Sequence, residues 1–76
     1  MWNNANETKP ETTFTGDWYE SKYVVGLFGK NDLSIVRYEH GLHEDGKKWE
    51  QWWSPAFEDS VDIDQWTDVI PELPKF

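Results

Sequence analysis

The chain has 76 residues, no cysteine, a formal net charge of −8 and an aromatic content of 17%. That length makes one small domain, and the missing thiols exclude disulfides and a thiolate metal site. The acidity disfavours direct binding to nucleic acid, which needs Lys and Arg against phosphate, and the aromatic content argues against a wholly disordered chain.

The opening stretch, MWNNANETKPETT, has neither a basic region nor an apolar run. No secretory signal and no membrane span are therefore expected, which points to a cytoplasmic location. Residues 1–16 are rich in Asn, Thr, Glu and Pro and read as an irregular arm. Trp2 stands alone in it, so the arm is predicted to pack back onto the domain through that indole.

Tyr23 to Phe28 is rich in β-formers and predicts a strand over 22–28. Gly29-Lys30-Asn31-Asp32 has turn composition, and a second strand follows over 33–39, so the two pair as a hairpin. In that second strand Leu33 and Ile35 share one face, and Val36 and Tyr38 share the other. This fits either a bulge near Ile35 or a strand covered on both sides. A loop over 40–46 with two glycines leads to a third strand over 47–54, which Pro55 ends.

The stretch Lys47 to Trp66 holds Trp49, Trp52, Trp53 and Trp66, four of the six tryptophans. It is therefore predicted to form the centre of the core. Adjacent strand residues point opposite ways, so Trp52 and Trp53 cannot both face one core. Trp49 and one of that pair are expected inside. A fourth strand over 61–68 is suggested by alternation over 61–69, with Val61, Ile63 and Val69 inward, Gln65 and Thr67 on the same face, and Asp62, Asp64, Trp66 and Asp68 outward. A short helix over 58–68 is the alternative, with Glu58 and Asp59 at its N-terminal end. The fold class is thus mainly β, a small antiparallel sheet of three to four strands. Residues 71–76, with Pro71 and Pro74, form an extended tail.

The order of these landmarks resembles a known family. Trp2, the hairpin VVGLFG…LSIVRY, the strand KKWEQWW, Trp66 and the Pro71-Glu72-Leu73-Pro74 run are similar to those of the family catalogued as domain of unknown function 551. Its members are small proteins of tailed phages and prophages. The resemblance covers nearly the whole chain and implies a phage-encoded accessory protein in the bacterial host cytoplasm, with no activity to carry over.

Chemistry is sparsely indicated. His40-x-x-His43-Glu44, with Glu39, is the one metal-like cluster, and it reads as a polar loop. Asp59-x-x-Asp62-x-Asp64 lacks the glycine and glutamate of a calcium loop. No catalytic residue, cofactor or metal is assigned, and the chain is not expected to be an enzyme. Acid and aromatic side chains remain. Residues 58–76 carry six acids against Lys75, a net charge of −5. A contact face of Asp59, Asp62, Asp64, Trp66, Asp68 and Trp53 is therefore predicted, aimed at a host protein with a basic surface. Asp62, Asp64 and Asp68 on one strand face would imitate a row of phosphates. Such a protein would inhibit a factor that handles nucleic acid, such as a defence nuclease complex or a transcription or replication factor. The alternative is a structural or virion-assembly accessory whose aromatics are all core. For Trp66 itself, the alternative to an outward contact is that it folds onto Pro71 and Pro74 and pins the tail, which the family resemblance favours.

Overall fold

The computed structural model describes residues 2–29 and 32–68. They form eight strands and no helix: β1 (Asn3–Asn4), β2 (Thr12–Phe14), β3 (Tyr19–Ser21), β4 (Val24–Phe28), β5 (Asp32–Leu42), β6 (Lys48–Ser54), β7 (Asp59–Val61) and β8 (Gln65–Thr67). All pairings are antiparallel. The mainly β class holds, but the expected three to four strands are too few, and the short helix over 58–68 is absent. No helix of the described residues is long and apolar enough to cross a membrane.

The organiser is β5, whose 11 residues serve two sheets. Its first half, Asp32 to Val36, pairs with β4, beyond which lie β8 and β1. Its second half pairs with β6 on one edge, and at Glu39 and His40 with β3 on the other. β2 completes one side and β7 the other, so the sheet curls into a half-barrel. The β4–β5 hairpin is as the sequence predicts.

The bulge lies on the neighbouring β3–β4 segment rather than near Ile35. Glu20 pairs with Glu39 and Val24 with Val36, so three residues on the β3–β4 side oppose two on β5. Ser21 fills the gap. Its buried hydroxyl accepts from Tyr38 N–H at 3.0 Å and donates to the Lys22 carbonyl at 2.7 Å. A side chain thus replaces the ladder bond that the extra residue removes.

The inner face holds the core: Ala5, Val24, Val36, Tyr38, Trp52, Ile63 and Trp66, with Phe28 and Val61 against it. Gly26 sits beneath it. A β-carbon there would stand 2.9 Å from Val36 Cγ2 and 3.1 Å from Ile63 Cγ2, so glycine lets those two side chains meet across β4. Of the adjacent pair, Trp52 is the buried one, at 8% exposure. Trp49 and Trp53 lie on the opposite face of β6 and are half-buried, so the expectation that Trp49 faces the core fails with the strand period.

The arm is tied to the sheet by strand pairing. β1 adds to β8, Ala5 is buried, and Ala5 N–H donates to the Asp64 carbonyl at 3.0 Å. Lys9 Nζ donates to the Ala5 carbonyl and lies over the rings of Tyr38 and Trp52, 5.3 and 5.6 Å from their centroids. Trp2 itself is 38% exposed. The region expected to be irregular therefore contains two short strands and docks through small and cationic side chains. The predicted extended tail over 71–76, and its contact with Trp66, lie outside the described residues.

Candidate functional site

The predicted contact face is built differently from the single strand expected. The alternation holds through Ile63 and then breaks. The chain leaves the β6–β7 edge at Val61, crosses through residues 62–64, and joins β4 as β8. The crossing is pinned on both sides: Asp64 N–H donates to the Leu27 carbonyl at 2.8 Å, and the Asp64 carbonyl receives Ala5 N–H. Buried Ile63 separates two exposed aspartates, Asp62 and Asp64.

After the crossing, Trp66 points inward. It is 6% exposed, and its Nε1 donates to the Thr8 carbonyl at 2.7 Å. Trp66 is thus a core residue that clamps the N-terminal arm, which corrects its place on an outward face. Asp59 opens β7 opposite Ser54, and Asp68 follows β8. Asp59, Asp62, Asp64 and Asp68 are all exposed. They follow a rim that passes from one sheet to the other, not one strand face, so an even row of phosphate-like charges is not formed. Trp53 is set apart from Asp62 and Asp64, on the outer face between Arg37 and Ser60.

The rim acids differ from Glu20 and Glu39, which are paired. Among the described residues both ion pairs belong to Arg37, which reaches Glu39 at 2.8 Å and Glu20 at 3.1 Å. Arg37 Nε also donates to Glu39 Oε2, while Gln51 Nε2 donates to Oε1 at 2.7 Å. Glu39, only 5% exposed, is fully partnered on both oxygens. Tyr23 lies under the guanidinium, 5.2 Å from its centroid, and Trp18 Nε1 donates to Glu20. Among the described residues the rim acids make no ion pair, and Asp59 Oδ1 accepts the Ser60 N–H at 2.7 Å.

A second feature was missed in the sequence. A groove of about 960 Å³ opens on the inner face beyond the core, where Tyr19, Tyr38, His40 and Glu50 meet, and Trp49 borders it from the opposite face of β6. Tyr19 and His40 stack in parallel with centroids 4.8 Å apart, and His40 Nε2 lies 3.2 Å from Thr12 Oγ1. Tyr38 donates its hydroxyl to Glu50 Oε2 at 2.6 Å. Burial pushes the Tyr38 phenol well above its ordinary range, and the Glu50 hydrogen bond and charge push it further. The signal available in the sequence was Gly41, a glycine inside a strand. A β-carbon there would stand 3.0 Å from Trp49 Nε1, so glycine is what lets the indole lie across the strand.

His40 and His43 part company. His40 turns to Tyr19 and Thr12, whereas His43 packs against Trp49 at 6.5 Å. Among the described residues no group of three or more His, Asp or Glu side chains is placed to hold a metal ion. Compared with known proteins, the chain matches no family model, no curated protein and no solved structure.

Proposed function

We propose that this chain is a protein-interaction module that engages a basic protein surface through its acidic rim. The observation that carries the reading is the contrast in pairing. Asp59, Asp62, Asp64 and Asp68 are exposed without an ion pair among the described residues, whereas Glu20 and Glu39 are neutralised by Arg37. Unpaired acids raise a negative potential that steers a basic partner towards them, with an effect that salt screens. Trp66 drops out of the contact, and Trp53 is at most its outer margin. On the sequence resemblance, the module is phage-encoded, and it inhibits a host cytoplasmic protein that handles nucleic acid.

The test is a pull-down from bacterial lysate at low and high salt, with the wild-type chain and the triple variant Asp62→Asn, Asp64→Asn, Asp68→Asn. The proposal expects a captured protein with a basic surface that is released by salt and lost with the variant. Capture that survives both changes sinks it. A second reading is favoured by one observation, the use of Trp52 and Trp66 entirely as core. In that reading the chain is a structural or virion-assembly accessory whose acids serve solubility, and the same pull-down yields no salt-sensitive host partner.

A further inference from the structure

We infer that the inner-face groove is a binding site for a neutral oligosaccharide, separate from the acidic rim. The first argument is shape and lining. About 960 Å³ is near the upper end of small-ligand sites, and the walls are aromatic with a few fixed polar groups, as such sites require. The rings are held in place before any ligand arrives. Tyr19 is gripped between Phe14, 5.0 Å away, and His40, while Trp49 lies across Gly41. A sugar presents a patch of C–H groups that packs on such rings, which carry partial negative charge on their faces.

The second argument is charge. The molecule carries −8, yet the groove carries Lys9 and Lys48 against Glu11 and Glu50, a balance of zero. None of the four is in an ion pair among the described residues. Lys9 is committed to the Ala5 carbonyl and to the Tyr38 and Trp52 rings. Glu50 is oriented by Tyr38 through one oxygen and keeps the other without a hydrogen bond among the described residues. Ammonium donors and carboxylate acceptors placed together around aromatic rings complement hydroxyl groups, which both donate and accept, and a balance of zero charge favours neither a cation nor an anion. A basic side chain would meet Lys9 and Lys48 as well as the carboxylates.

The test is calorimetric titration of the intact chain with cellohexaose, chitohexaose and maltohexaose, and separately with hexalysine. Tyr19→Ala and Glu50→Gln are titrated in parallel. Tyr19 is 42% exposed on a short strand, so its truncation should leave the circular dichroism spectrum intact. The proposal expects at least one neutral hexasaccharide to bind, with affinity falling about tenfold or more in each variant. It also expects the Tyr19 and His40 amide resonances to shift on binding. No binding of any of the three sugars at about 10 mM overturns it. So does sugar binding that neither variant weakens. Hexalysine binding that is lost in Glu50→Gln also overturns it, by showing that the groove takes cationic side chains.

Discussion

Trp66 is the residue on which the fold and the reading of the rim both turn, and its replacement separates the two. In the structure it fills the core beside Trp52, with ring centroids 6.4 Å apart, and its N–H holds the Thr8 carbonyl. Truncating a buried tryptophan to alanine costs about 3–5 kcal/mol through lost transfer energy and the cavity left behind. A chain of this length has a total stability of about 4–11 kcal/mol. Trp66→Ala therefore removes a large share of it and lowers the melting temperature by at least about 12 °C. Trp66→Phe is the finer probe. It keeps most of the ring and deletes the donor, and Thr8 is exposed, so its carbonyl returns to water. The hydrogen bond then costs about 1 kcal/mol and the smaller ring about 1 more. Urea and thermal unfolding followed by circular dichroism measure both variants. Amide exchange adds a local readout, since Ala5 N–H should exchange faster in Trp66→Phe while Val36 N–H, in the central strand, stays protected. A Trp66→Ala variant that melts within about 2 °C of wild type would refute the placement.

Two other outcomes follow from named contacts. Arg37→Leu strands the buried Glu39 carboxylate with Gln51 as its one remaining partner, and costs about 3–5 kcal/mol. Adding Glu39→Gln restores most of that loss, whereas equal destabilisation in the single and double variants, read by urea unfolding, would count against the network. Tyr38 gives a pH signature. Its phenol is raised in the folded state above the unfolded value of about 10, so its contribution is complete below that pH and is lost as pH rises further. Wild-type stability should therefore fall more steeply from about pH 9 to about pH 11 than that of Tyr38→Phe, and parallel declines would rule the effect out.

Much of the sheet was legible because it rests on local signals. The strands predicted over 22–28, 33–39 and 47–54 appear as Val24–Phe28, Asp32–Leu42 and Lys48–Ser54. β-branched and aromatic runs bounded by glycine and proline specify them without help from the rest of the chain. What was missed is tertiary in origin. Asn3-Asn4 and Thr12-Thr13-Phe14 have no strand pattern of their own; they become strands because β8 and β3 offer open edges. The reach of β5 through His40 and Gly41 was hidden by a glycine that reads as a loop, and that glycine is explained only by the indole lying across it. The groove was invisible for the same reason. Its parts come from β2, β3, β5 and β6, and no sequence spacing joins Thr12 to His40.

The break at residues 62–64 carries a consequence for how the rim can act. Period-two alternation over 61–69 implied three aspartates on one strand face beside an outward indole, an imitation of a phosphate row. The crossing between sheets keeps the alternation for Asp62, Ile63 and Asp64, then reverses it, because β8 must present Trp66 to the core and Gln65 to solvent. Asp68 is left beyond β8, on the far side of that strand from Asp64. The acids therefore retain their charge and exposure but not their register. Charge without register acts over a Debye length, about 8 Å at physiological salt, and governs how fast a basic partner arrives more than how closely it fits. The rim variants should accordingly slow association at low salt and leave dissociation nearly unchanged. Tight, salt-insensitive binding would have to be supplied by another surface. A dissociation rate that rises with each aspartate removed would mean that the rim is read in detail after all, despite the crossing.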